Sequence, residues 1–312
     1  MMRFAVYTVI TGGFDELKQP LAVDDRFDYV VFSDREIQDS GVWEVRLINQ
    51  PINQSINQSM LSLPANNRQK SRLPKIRPDI FLPDYEATLY IDGNICICSS
   101  RVYDRCSELY EAGIEWAGIK HQGRQCLYDE LNAIIGLGWV HDYDVLDWYG
   151  FLHKEGFPEQ DFMFENNIIF RLNTSYVKAV DELWWRSIQE QRVKRDQFSL
   201  MYALWKRPET KTTFLLNADE NAWRNDGAFV CDEHKPNKRI LDKTLWEKMR
   251  NRYVRMFYWD GGWEIYYTRW FDKLLKWPFP RIAMHLWTAW MAVRHDSGFL
   301  LKKAWNKLKR NN

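Results

Sequence analysis

Short apolar runs and longer amphipathic stretches take turns along this chain. Residues 4–10 (FAVYTVI), 28–32, 43–48 and 88–91 are apolar or β-branched and bounded by turn-rich segments, which predicts four strands. Apolar residues recur at helical spacing over 100–112, 125–137, 176–189 and 196–205, with strand-like runs at 116–119, 167–172 and 213–216 between them. Alternation of this kind predicts an α/β sandwich.

Two segments break the pattern. Residues 48–58 repeat INQ three times at a spacing of four, a polar run with a proline that reads as a surface loop. Residues 217–241 turn to Asn, Asp, Lys and single Gly and Pro residues, so the boundary falls there: a domain over 1–243 and a helical extension over 244–312.

The chain has 312 residues, 46% of them apolar, enough for a large core. Net charge is only +1, yet residues 244–312 hold fourteen Lys and Arg against five Asp and Glu, so charge is segregated along the chain. Eight of the 16 tryptophans fall in that extension, interleaved with the basic residues. Such a mixture suits an anionic membrane interface, or else packs the extension on the first domain. Its longest apolar run, 282–293, is too short to span a bilayer and predicts lying on it. No RNA-binding signature accompanies the charge, so nucleic acid is not an expected partner. The first residues lead straight into a strand and a Gly-Gly turn, unlike a signal peptide, which predicts a cytoplasmic protein, peripheral on the inner face of the membrane. The five cysteines read as free thiols.

The candidate chemistry centres on Asp92-Gly93-Asn94, where a carboxylate and an amide oxygen follow a predicted strand and can point at one divalent cation, Mn²⁺ or Mg²⁺. Gly93 at φ > 0 in a plain β-turn is the alternative. Arg72 and Lys75 precede that strand by one element and would meet a diphosphate, or else lie on a solvated helix face.

Six pieces resemble, in order, the GT-A glycosyltransferase-like domain of plant mucilage-type proteins and their bacterial relatives, over residues 7–216. They are YTVITGGFD (7–15), FSD (32–34), the Arg72 and Lys75 pair, YIDGN (90–94), HQGRQCLYDE (121–130) and RDQFSL (195–200). The resemblance implies a GT-A-like sandwich with a mixed central sheet and a hexosyltransferase using a nucleotide sugar, UDP-linked by preference. The acceptor would be a glycan or lipid-linked, as in bacterial surface polysaccharide synthesis. It further implies Tyr7, Thr8 and Asp34 at the base or ribose, Arg72 and Lys75 at the diphosphate or the metal-binding carboxylate, and Asp92 and Asn94 on the metal. A late His234 would join them, since DEHKPNK is similar to a piece of family 8 glycosyltransferases.

On the sugar and acceptor side it implies His121, Arg124, Asp129, Glu130 and Gln197. Glu165, Asn166 and Asn167 sit beside the apolar run IIF, as expected where a sheet opens onto a pocket, and the two amides suit sugar hydroxyls. Asp196 would orient the donor or accept the incoming hydroxyl's proton. Each has a plainer alternative: a turn or helix N-cap for Asp34, a solvated helix face for Asp129 and Glu130, a turn cap for 165–167, and the helix dipole for Asp196. The competing function is a non-catalytic GT-A-like module that binds a glycan or a partner, or a membrane adaptor acting through the extension.

Overall fold

A computed structural model describes residues 3–13, 15–48, 67–137, 142–190, 195–216 and 227–232. The INQ repeat after Ile48, His234 and the basic extension lie outside these residues. The chain divides into two compact units, one of residues 1–131 with 151–238 and one of 132–150 with 239–312. In the second unit the described residues, 132–137 and 142–150, are helical.

The elements run β1 (Phe4–Ile10), β2 (Phe27–Ser33), β3 (Glu44–Leu47), α1 (Asn67–Ile76), α2 (Pro78–Phe81), β4 (Ala87–Ile91), β5 (Ile95–Ile97) and α3 (Arg101–Glu111). They continue as β6 (Trp116–Lys120), α4 (Leu127–Leu137), α5 (Asp142–Glu155), β7 (Phe164–Leu172), α6 (Ser175–Glu190), α7 (Asp196–Trp205), β8 (Thr212–Phe214) and β9 (Phe229–Cys231). Among the described residues seven strands form one mixed sheet in the order β3-β2-β1-β4-β7-β6-β8, and β5 and β9 pair as a separate antiparallel ribbon. The sheet is parallel from β3 through β4 and at β6–β8, and antiparallel on both sides of β7. The α/β class and the mixed sheet are those expected.

Strands β1 and β4 are buried along their whole length, because both faces are covered and neither can alternate apolar with polar. On one face Val6, Leu89, Ile168 and Phe170 join Val102, Tyr103, Cys106 and Leu109 of α3, a stripe at i, i+1, i+4 and i+7 that a helix turns toward a single surface. On the other face α1, α6 and α7 pack. Helices α1 and α2 escape the periodicity reading because prolines interrupt them. Pro74 lies inside α1, and Pro78 opens α2, where a missing N–H costs nothing.

From β1 the chain builds outward through β2 and β3, then returns to lay β4 against the other side of β1. Connections diverge at this point, and open α/β sheets receive ligands at the carboxyl ends of such strands. The backbone there is shaped by glycine. Gly12 and Gly13 both have φ near +65°, at 65° and 66°, a left-handed conformation that side chains resist. Gly93 is different. Its φ lies outside the left-handed region, so the φ > 0 of the plain-turn alternative does not hold, although Ile95 N–H donates to Asp92 O (3.0 Å) and closes a turn. What Gly93 supplies is space: a Cβ would lie 3.1 Å from Ile10 Cγ1 and 3.2 Å from Asp15 Cβ.

Gly93→Ala therefore forces these neighbours apart and is expected to lower stability by about 1–3 kcal/mol, the usual cost of overpacking. Urea unfolding measures this; an unchanged midpoint would show that the turn has room to spare.

Candidate functional site

Three elements deliver charge to the carboxyl end of β4. Helix α1 presents Arg72 and Lys75 one turn apart, Asp92 follows β4 directly, and Asp196 opens α7. Lys75 Nζ stands 3.2 Å from Asp92 Oδ1 and 3.0 Å from Asp196 Oδ2, while Arg72 Nη2 lies 3.2 Å from Asp196 Oδ1. The Tyr90 hydroxyl donates to Asp92 Oδ1 (2.6 Å), and its ring lies under the Lys75 ammonium at 4.9 Å. The expected contact between Lys75 and the carboxylate of the DGN turn is present, with Tyr90 as a partner the sequence reading did not name.

Burial sets the electrostatics. Lys75, Arg72 and Asp196 side chains are 8%, 11% and 14% exposed, and Asp92 is the most open at 27%. Burial alone would raise Asp196, but Lys75, Arg72 and Arg195 more than offset it and hold its carboxyl well below the usual carboxylate range. Burial likewise works against a charged Lys75, and Asp196 and Asp92 reverse the effect, so the ammonium keeps its proton more firmly than usual. A carboxylate stabilised this strongly is a weak base. Asp196 is therefore poorly suited to take a proton from an acceptor hydroxyl and well suited to orient two cations.

A second cluster continues from Arg195, the residue before Asp196. Glu130 is buried, with Oε1 3.1 Å from Arg195 Nη2 and Oε2 2.9 Å from Arg124 Nε. Burial pushes its carboxyl up while the two guanidiniums oppose the shift. Arg124 also reaches His121, Nη1 to Nε2 at 2.7 Å. On β7, Glu165 accepts from Asn167 Nδ2 (2.9 Å), Gln197 Nε2 donates to Phe164 O (2.6 Å), and Asn166 is 5% exposed with neither amide atom partnered among the described residues.

Several expectations are corrected. Tyr7 is fully buried inside the sheet, its hydroxyl donating to Lys75 O (2.9 Å), so it does not face a base or ribose. Thr8 is buried in the same central strand, and the accessible backbone begins past the end of β1. No helix follows Asp34, which excludes the N-cap; its Oδ2 accepts from Gly12 N–H (2.9 Å) and ties the turn after β1 to the turn after β2. Asp129 Oδ2 accepts from the N–H groups of Gln125 and Cys126 (both 3.2 Å) and so caps the start of α4, which replaces the solvated helix face with a capping role. Glu130 is neither on a solvated face nor open to an acceptor, because its two arginines enclose it.

For a metal, Asp92 Oδ2 and Asn94 Oδ1 carry no hydrogen bond among the described residues, whereas Asn94 Nδ2 donates to Asp232 O (2.7 Å) and Cys231 Sγ (3.3 Å). Two hard oxygens suit Mn²⁺ or Mg²⁺ but fill only part of a shell. Among the described residues no group of three His, Cys, Asp or Glu could hold a metal by itself.

No protein-family model matches the chain, and no curated protein matches it. Among solved structures it is similar to the WbbM bifunctional glycosyltransferase in apo form, at 11% identity and a TM-score of 0.40, covering 85% of this chain and 51% of that one. It is also similar to galactosyltransferase LgtC in complex with donor and acceptor sugar analogs (11% identity, TM-score 0.39, covering 81% of this chain and 95% of that one). A third is core-mannan synthase A from Aspergillus fumigatus in its Mn/GDP form (10% identity, TM-score 0.36, covering 81% and 84%). The chain spans about half the length of the first of these.

Asp196→Asn removes one charge from a buried set and is expected to cost about 3–5 kcal/mol at neutral pH. Because the folded pKa lies below the unfolded value of roughly 3.9, the unfolded state binds more protons in acid. The advantage of wild type over Asp196→Asn should hold from pH 8 to about 5 and shrink below about pH 4. Urea unfolding of both proteins across that range tests it; a pH-independent difference would mean that Asp196 is not the charged partner of Lys75 and Arg72.

Proposed function

We propose that this chain is a glycosyltransferase of the GT-A type that moves a sugar from a nucleotide donor to a glycan or lipid-linked acceptor. One observation carries the reading: an ammonium and a guanidinium converge with a partly open carboxylate at the carboxyl end of β4, beside the point where the sheet's connections diverge. The six pieces of sequence resemblance support it from an independent side, and the Gly12–Gly13 turn leaves the backbone free to approach a phosphate closely.

In this reading the bond from the anomeric carbon to the terminal phosphate oxygen breaks as the acceptor hydroxyl oxygen closes on that carbon; the bonding pair leaves with the diphosphate, and the hydroxyl proton passes to the departing phosphate or to water. Negative charge grows on the departing diphosphate, and Arg72 and Lys75 meet it from α1. Asp196 holds both cations in place beforehand, so they need little rearrangement when the charge arrives. A divalent cation, held by Asp92 and Asn94, would supply further neutralisation of the diphosphate. His234 is proposed as its third ligand.

The sugar and acceptor would lie against His121, Arg124, Glu165, Asn166, Asn167 and Gln197. The buried amide of Asn166 can both donate to and accept from a hydroxyl. Among the described residues no helix is long and apolar enough to cross a membrane. The basic, tryptophan-rich residues 244–312 are proposed to rest on an anionic membrane surface where a lipid-linked acceptor would be found, and the enzyme is proposed to act on the cytoplasmic face in surface polysaccharide synthesis.

Calorimetric titration with UDP-, GDP- and CMP-linked sugars, with and without Mn²⁺, tests the proposal. One donor class should bind in the presence of Mn²⁺, and Asp92→Ala should weaken it at least about tenfold, or 1.4 kcal/mol, with the fold retained by circular dichroism. Binding of none of the donors by the wild type would sink the reading.

A further inference from the structure

Arg171 lies in the middle of the sheet on β7 and is 1% exposed, as is its partner Asp181 on α6. Its guanidinium makes four contacts. Nη1 donates to Asp181 Oδ1 (3.0 Å) and Ile76 O (3.2 Å), and Nη2 donates to Lys75 O (2.6 Å) and to the Tyr7 hydroxyl. Tyr7 in turn donates to Lys75 O (2.9 Å). Lys75 and Ile76 are the last two residues of α1, where carbonyls have no partner within the helix. Helices commonly end on glycine or in water; this one ends on a cation supplied by the sheet, which also suits the negative end of its dipole.

Packing alone does not explain the arrangement. A buried arginine and aspartate are costly to desolvate, and apolar residues of similar volume would fill the space at no greater cost. What the pair adds is direction. The residue whose carbonyl is gripped, Lys75, is the one whose ammonium bridges Asp92 and Asp196. Fixing the carbonyl fixes where the side chain starts, and hence where its charge can stand.

We propose that Arg171, itself oriented by Asp181 and Tyr7, is the positioning residue that sets Lys75 between the two carboxylates. If the glycosyltransferase reading holds, this grip places the ammonium for the diphosphate. Burial pushes the Asp181 carboxyl up, to about 7, against the pull of Arg171, with Asp79 and Arg77 also in range. The hold on α1 runs through the guanidinium, which stays charged in either state of Asp181.

The full chain carrying Arg171→Lys tests this, since lysine keeps the charge but cannot span two carbonyls and a hydroxyl. Acylation of Lys75 by an N-hydroxysuccinimide ester, read by peptide mass spectrometry, reports its local exposure. Alkylation of Cys106, fully buried on the opposite face of the sheet, reports general opening. Lys75 should react at least about tenfold faster with Cys106 unchanged, the mark of local release without unfolding. Tyr7→Phe, which removes one hydroxyl and leaves the ion pair, should give a smaller Lys75-specific rise, roughly threefold, on the scale of a single hydrogen bond. Unchanged Lys75 reactivity, or Lys75 and Cys106 rising together, would overturn the proposal by leaving Arg171 a purely structural role. Should Arg171→Lys fail to fold, Tyr7→Phe decides in the same terms. Donor titration of the same variants is read separately: a wild type that binds no donor refutes the glycosyltransferase reading and leaves the Lys75 result standing.

Discussion

The ammonium of Lys75 has to be shared. A single positive charge at 8% exposure serves two carboxylates from distant parts of the chain, Asp92 and Asp196, and Arg72 supplies the second cation that the arrangement needs. Take away any one of the four and an uncompensated charge is left in a place with little water. Much else in this part of the fold follows from that requirement. Helix α1 must end where it does, α7 must begin with its carboxylate turned inward, and the turn after β4 must be tight enough to bring Asp92 within reach.

The same logic extends sideways in alternating sign. Arg195 follows on from the first set, Glu130 pairs with Arg195, and Arg124 closes the series against Glu130 and His121. Asp196 and Glu130 are each flanked by two cations and Asp92 by one, so every carboxylate of the series has a cationic partner before any ligand arrives. A site prepared in this way favours an anionic guest that can replace a carboxylate as the partner of a cation. It gives little help to a neutral one.

Much of the fold was legible because its strands are short apolar runs and its helices keep a clear period. β1 and α7 fall on the residues that the pattern indicates, and α3 and α6 lie within a residue of their expected ends. α1 was not legible, since Pro74 and the charged residues around it hide a helix that covers the sheet with Leu73 and Ile76 while it carries Arg72 and Lys75 to the site. In the site, the DGN turn and the Arg72–Lys75 pair could be found from spacing, but their mutual pairing through Asp196 could not, because it joins segments far apart. Tyr7 misled for a physical reason: a polar tip on a strand residue looks like a ligand contact until the strand proves to be covered on both faces. Arg171 and Asp181 did leave a trace. The first interrupts the apolar run IIFRL, and the second takes a place in the buried stripe of α6 between Val177, Val180 and Trp184. A charge where the period calls for a hydrophobe is a sign of a buried partner.

The contacts that hold α1 span long stretches of chain: Arg171 reaches Ile76 and Lys75 across 95 and 96 residues and Tyr7 across 164. Closing loops of that size comes late, after local helices and neighbouring strands have formed. Interactions absent from the folding transition state do not hasten folding; they slow escape from the native state. In this protein the buried charges are therefore expected to act on lifetime more than on assembly, slowing the release of α1 from the sheet more than they speed its docking.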